Sequence, residues 1–193
     1  MRTPRDDQGR LDEGGAEGKR AAELDPLSPQ IPVDAAFAFA WKGDYPGALE
    51  QARRAADLDS TFFFSPFMLG WIDLEQGKAK DAIPYLRMSA SMQAPSFAAA
   101  WLGYAYGASG DRANARAQIA EQNKMSLHGY IPPFNLALIY LGMGDNARAM
   151  DYLEQAYSAH SQWLCWLKMD RIFDPLRTEP RFMALLKKLN FEN

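Results

Sequence analysis

Four glycines recur along the chain at a nearly constant interval, and this spacing limits the folds that the sequence can adopt. Gly43, Gly77, Gly110 and Gly144 follow one another at 34, 33 and 34 residues. A period between about 20 and 50 residues is typical of repeat architectures, in which each unit packs only on its neighbours. Apolar residues at helical spacing lie on both sides of each glycine, so each unit is predicted to be two helices joined by a glycine turn.

Small residues occupy fixed positions around each of these glycines. Seven residues before each glycine lies an alanine or a glycine, and five residues after it lies an alanine. The eight positions are Ala36, Ala48, Gly70, Ala82, Gly103, Ala115, Ala137 and Ala149. Two antiparallel helices need small side chains where they cross at close range, because larger ones would push them apart.

These patterns predict an all-α fold, a right-handed solenoid of four helix pairs. The predicted pairs are 31–42 with 45–58, 64–76 with 79–93, 97–109 with 112–126, and 131–143 with 146–159. Asp44, Asp111 and Asp145 each follow a turn glycine directly, and we expect them to cap the second helices.

The predicted organisation has a leader, an array and a cap. Residues 1–8 are expected to be disordered, and residues 9–26 resemble the second helix of an earlier repeat whose first helix is missing. The chain is therefore interpreted as a fragment of a longer repeat protein, or truncated relative to one. Four repeats are predicted at about 29–62, 63–95, 96–129 and 130–160, followed by a cap at 161–193.

The cap departs from the repeat pattern. Residues 162–169 predict a short, mostly apolar helix, and residues 170–177 an irregular link. Residues 179–189 predict an amphipathic helix with Phe182, Leu185, Leu186 and Leu189 on one side.

Composition argues against several classes of partner. The net charge is −3 and the pI is near 5.4, so no basic field would attract nucleic acid or an anionic membrane. No apolar run approaches the ~20 residues that span a bilayer, and no apolar segment follows the charged N-terminus as in a secretory signal. We expect a cytoplasmic protein with no nucleic-acid or membrane partner.

Few residues suggest catalysis or metal binding. His128 and His160 lack the carboxylates at helical spacing that a metal site needs, so both are predicted to lie at the surface or at helix ends. Cys165 lies between Leu164 and Trp166, where burial would make its thiol inert. Asp174 and Arg177 are predicted to stabilise the irregular link. No enzyme activity, cofactor or metal is therefore predicted.

The aligned positions resemble the tetratricopeptide repeat over about residues 9–160. The third unit has Leu102-Gly103, Tyr106, Gly110-Asp111 and Ala115 in the matching register. The fourth unit repeats the pattern with Leu136, Tyr140, Gly144-Asp145, Ala149, Leu153 and Ala156. The pattern departs from the family where Pro32, Pro66, Ala99 and Pro133 replace the usual large aromatic residue and where Asp73 replaces another.

The C-terminal part is similar to the end of bacterial tetratricopeptide arrays. The similarity rests on residues 130–140, 163–170, 173–177 and 180–182. Such arrays often follow winged-helix transcriptional regulators, adenylate cyclases or serine/threonine kinases. The resemblance thus implies bacterial signalling as one context, without any effector domain in this chain.

The resemblance also implies a concave groove, lined by the second, fifth, ninth, twelfth and thirteenth positions of the first helices. The groove residues would be Phe37, Trp41, Phe64, Phe67, Trp71, Phe97, Tyr104, Phe134 and Leu138, with Leu141 beside them. They are aromatic or aliphatic, and the lysine, asparagine and arginine of the carboxylate-clamp type are missing.

Three interpretations of this groove are open. The rings can pack as core, they can be exposed to a partner peptide or helix, or they can be covered by the helix at 179–189 or by a second copy. The predicted function is a protein-interaction or scaffold module. The alternative is a sensory or oligomerisation segment of a multidomain bacterial regulator.

Overall fold

A computed structural model describes residues 20–21, 23–92 and 95–191. The part of the chain that it describes is built from helices, with no strand. The α-helices are α1 Gln30–Trp41, α2 Tyr45–Leu58, α3 Phe64–Glu75, α4 Ala79–Ala90, α5 Pro95–Ala108, α6 Arg112–Ser126, α7 Pro133–Gly142, α8 Asn146–Ser158 and α9 Pro180–Lys188. Two 3₁₀ segments, Gln162–Lys168 and Arg171–Leu176, lie between α8 and α9.

The predicted all-α repeat solenoid is confirmed. Helices α1 to α8 form four antiparallel pairs, and every end lies within three residues of its predicted position. The predicted leader and almost all of the predicted half-repeat at 9–26 lie outside the described residues. The division of the array into repeats, and of residues 161–193 as a separate cap, stays a prediction.

The turn after each first helix has the same backbone structure in all four pairs. Gly43, Gly77, Gly110 and Gly144 have φ of 82°, 73°, 89° and 74°, the left-handed region that glycine adopts without a steric penalty. In the first turn, the amide of Asp44 donates to the carbonyl of Phe39 at 2.9 Å, which satisfies a carbonyl at the end of α1.

The three aspartates after the turn glycines cap the second helices, as predicted. Asp44 accepts a hydrogen bond from the Gly47 amide at 3.0 Å, and Asp111 accepts one from the Asn114 amide at 3.1 Å. Asp145 accepts from the amide of Arg148 at 3.2 Å. Each carboxylate thus satisfies a free N–H in the first turn of its helix.

Close packing explains the small residues, though not always through the predicted pair of helices. A β-carbon added to Gly70 would lie 2.7 Å from Leu86 in the partner helix α4, as expected. One added to Gly103 would lie 2.6 Å from Ile139, which belongs to α7 of the next pair. Gly103 therefore serves contact between repeats as well as within one.

Helices α5 and α7 touch backbone to backbone. A β-carbon on Gly107 would lie 2.6 Å from the carbonyl carbon of Gly142, and one on Gly142 would overlap the backbone of Tyr104. This contact joins the first helices of the third and fourth pairs.

Substitution of Gly142 tests that contact. We expect Gly142→Ala to lower the free energy of unfolding by about 1–3 kcal/mol, because the methyl group overlaps backbone that cannot move away independently. Gly129→Ala is the matched control, since nothing lies within 4 Å of a β-carbon there. Chemical denaturation measures both, and equal stability of the two variants would contradict the close approach of α5 and α7.

Candidate protein-binding groove

The nine residues predicted to line the groove lie on α1, α3, α5 and α7. Phe67, Trp71, Phe134 and Leu138 are fully buried, and Phe97 is nearly so. Phe37, Trp41, Phe64 and Tyr104 are partly buried against the core.

Most of these rings form one cluster across the first three helix pairs. The ring centres of Phe37 and Trp71 are 4.8 Å apart, and those of Phe67 and Phe97 are 5.0 Å apart. Phe64 joins the cluster at 5.6 Å from Phe67. These distances are typical of contacting aromatic side chains.

The groove is covered by the two 3₁₀ segments, residues 162–176, which we call the plug. Trp166 of the plug lies among the rings of the groove, with its centre 5.1 Å from Phe37, 6.0 Å from Trp71 and 5.3 Å from Trp101. Trp163 contacts Phe97 at 4.5 Å. The aromatic side chains of the groove are therefore buried by a segment outside the repeats.

The plug turns back towards the fourth pair after Asp170. The ring centre of Phe173 lies 6.2 Å from that of Phe134 in α7 and 6.3 Å from that of Phe182 in α9. Helix α9 then packs beside α8, and the guanidinium group of Arg181 donates hydrogen bonds to the carboxylates of Asp151 and Glu154 at 2.8 Å each. Helix α9, which corresponds to the predicted helix at 179–189, lies outside the groove. The plug, which precedes α9 in the chain, covers the groove instead.

A buried carboxyl group fixes the middle of the plug. Asp170 is 0 % exposed, and its two oxygens accept hydrogen bonds from the indole Nε1 of Trp41 at 2.9 Å and of Trp71 at 3.3 Å. Two side chains predicted for the groove thus present donors to a single acceptor in the plug.

A second buried acid belongs to the groove itself. Glu75 ends α3, is 3 % exposed, and accepts a hydrogen bond from the Arg171 amide at 3.1 Å. Its oxygen therefore satisfies an N–H at the start of the second 3₁₀ segment.

Comparison with known families agrees with this architecture. The tetratricopeptide repeat model matches residues 134–160, which cover α7 from its second residue and all of α8. The fourth helix pair is therefore a tetratricopeptide repeat. A search of curated proteins finds no match to it.

Tetratricopeptide repeats are generally protein-interaction modules, and they form a non-catalytic class typical of scaffolds. No group of three histidine, cysteine or acidic side chains that could hold a metal occurs among the described residues. Within the same residues, no helix is long and apolar enough to cross a membrane.

Glu75 and Asp170 are buried away from water, and burial disfavours their charged forms. Burial raises the pKa of Glu75 to about 7, against the hydrogen bond from Arg171. Burial raises the pKa of Asp170 well above its usual range, and neighbouring Glu75 raises it further. Burial, together with both acids, raises the pKa of Tyr104 to about 12.

The other candidates from the sequence have structural positions. Arg177 donates to Asp174 at 2.6 Å and to the carbonyl of Lys168 at 3.1 Å, so these residues stabilise the link as predicted. His128 is exposed, and so is His160, which lies two residues beyond the end of α8 in a left-handed conformation with φ of 52°.

The prediction of a buried Cys165 is wrong. Cys165 is exposed, because the 3₁₀ segment has three residues per turn and Gln162, Cys165 and Lys168 share its outer side. Nearby protein still excludes enough water to raise the pKa of its thiol, and Asp170 adds to the effect.

Three important residues were not assigned to the groove from the sequence. Glu75 is at the thirteenth repeat position, which is one of the positions that line the groove, so the repeat alignment alone could have assigned it there. Trp166 and Asp170 lie in a non-repeating segment, and their only signal is that large apolar residues recur there at intervals of three and four.

The buried acids predict that stability falls as pH rises. The pKa of Glu75 is about 7 in the folded protein, above its ordinary 4.5. Its contribution to the free energy of unfolding is therefore complete below about pH 4.5 and is lost as the pH rises to about 7. Asp170 acts in the same direction. The charged or titratable groups that act on these two acids are Arg171, Asp174, Arg177 and Tyr104.

Denaturation at a series of pH values measures this dependence. We expect the free energy of unfolding to decrease between about pH 4.5 and pH 7, and Glu75→Gln to make that decrease smaller, the remainder coming from Asp170. Glu179→Gln, at an exposed acid, is the control and should retain it. A stability that rises over this range in the parent chain would contradict the assignment.

Proposed function

We propose that the chain is a protein-interaction module whose concave groove accepts an apolar segment of a partner once the plug has left it. The observation that carries this proposal is the position of Trp166, a residue outside the repeats, among the rings of α1, α3 and α5. A groove that holds one short segment by ring contacts and two side-chain hydrogen bonds has suitable chemistry for another.

The buried acids make docking of the plug less stable. Asp170 loses its hydrating water when the plug docks, and the nearby charge of Glu75 repels its own charge. The attraction of Arg177 and the two indole hydrogen bonds offset only part of this cost. Docking is therefore less favourable than its aromatic contacts alone would make it. A partner segment without this electrostatic penalty has an advantage over the plug.

Tethering acts in the other direction. The plug is joined to α8 by three residues, 159–161, and a short tether gives an effective concentration on the order of millimolar. A partner present at lower concentration must therefore bind more tightly than the plug, or bind when the plug has been weakened.

Site-specific photo-crosslinking in the source cell tests the proposal. A photoreactive phenylalanine analogue replaces Phe64, at the groove, or Tyr85, on the exposed side of α4. We expect a partner to crosslink at position 64 and not at position 85. The yield at position 64 should increase by about tenfold when Trp166→Ala weakens the plug.

Two results would contradict the proposal. One is crosslinking of the same partner at position 85 with equal yield. The other is a yield at position 64 that Trp166→Ala leaves unchanged, provided that circular dichroism shows the variant to be helical.

A sensory segment of a larger regulator is the second candidate. The observation that favours it is the pair of buried acids, which makes closure of the groove dependent on conditions. In that case opening of the plug would be the signal transmitted to an attached effector. An in-frame effector domain in the coding sequence of the source gene would support it.

A further inference from the structure

The plug contacts the groove through a pattern that a second protein can carry. Trp166 supplies an aromatic anchor, and Asp170, four residues later, supplies a hydrogen-bond acceptor. We propose that the groove recognises partner segments with a large aromatic residue followed four positions later by aspartate, the plug being an internal copy of that ligand. This inference rests on the proposed function.

The aromatic requirement follows from the enclosure of Trp166. Four rings of the groove and the ring of Trp101 in α5 lie within 6.4 Å of its centre, and they belong to three successive helix pairs. A small side chain at this position would leave a cavity between helices that the solenoid already holds in place. Leucine or alanine would therefore fill the site poorly.

The acceptor requirement follows from two indole donors at one point. The Nε1–H groups of Trp41 and Trp71 both donate to Asp170, in surroundings that exclude water from the carboxyl group. A ligand without an acceptor would leave both donors unpaired when it covers them. A lysine or arginine would bring a further donor to the same place.

Asparagine at this position would meet only part of the requirement. Glu75 acts on Asp170 by like-charge repulsion, and both groups are buried, so an uncharged side chain avoids that repulsion. Asparagine, however, has one acceptor oxygen, and its NH2 group would face one of the two indole N–H groups, which bond different oxygens of Asp170. The groove should therefore accept asparagine less well than aspartate and better than alanine.

The spacing of four residues follows from the backbone of the plug. The amide of Asp170 donates to the carbonyl of Trp166 at 3.0 Å, which closes one helical turn. That turn places both side chains towards α1 and α3. A partner needs only one such turn to present the same pair.

Binding of synthetic peptides to the full chain tests the inference. The receptor is the full chain with Trp166→Ala, and the probe is a fluorescent peptide of residues 162–177 with Cys165→Ser. Three further peptides carry Trp166→Ala, Asp170→Ala or Asp170→Asn. Fluorescence anisotropy gives the dissociation constants at pH 7.

We expect the parent peptide to bind, and the Asp170→Asn peptide to bind more weakly than the parent but more tightly than the Asp170→Ala peptide. The Asp170→Ala and Trp166→Ala peptides should each bind at least about tenfold more weakly. Equal binding of the Asp170→Ala peptide would overturn the acceptor requirement and leave groove binding intact. Absence of binding by every peptide up to ~1 mM, the effective concentration of a tethered plug, would overturn both.

A second measurement does not depend on the folding of the Trp166→Ala receptor. Within the otherwise unchanged chain, Asp170→Ala should lower the unfolding midpoint at pH 7 by about 3 °C or more, and Asp170→Asn, which keeps one acceptor oxygen, by about half as much. An equal decrease in both variants would overturn the requirement for an acceptor at this position.

Discussion

The insertion of Trp166 between the first helices is the contact on which the rest of the structure depends. Without it, the rings of α1, α3 and α5 would form a large exposed apolar surface, which soluble domains rarely keep uncovered. Each aromatic contact contributes about 0.5–1.5 kcal/mol beyond the burial of its area, and Trp166 makes several at once. The repeats thus build a groove, and a segment outside the repeats completes the core.

The same segment introduces a cost that a purely apolar plug would avoid. Asp170 and Glu75 are both buried, burial raises the pKa of each, and Glu75 raises the pKa of Asp170 further, although Trp41, Trp71 and the Arg171 amide supply hydrogen bonds. Buried acids of this kind favour specificity of position over stability. They orient the plug and also make its docking depend on protonation, which is a property that the proposed opening of the groove requires.

The repeat could be predicted from the sequence because its determinants are local and periodic. The left-handed conformation of Gly110 and the cap formed by Asp111 involve neighbouring residues only, so residue type and spacing were sufficient. The plug could not be predicted, since Asp170 meets Trp41 across 129 residues and has no counterpart in the repeats. Cys165 was misplaced because burial was inferred from its neighbours in sequence, and a 3₁₀ segment turns it outward.

Hydrogen exchange of the full chain, followed by mass spectrometry, tests the occupancy of the groove most directly. If the plug completes the core, amides in residues 163–176 should exchange much more slowly than in a free peptide of the same sequence, and Trp166→Ala should raise exchange in α1 and α3 as well. Exchange of residues 163–176 at the rate of the free peptide, with α1 and α3 protected, would mean that the groove is open and would contradict this account.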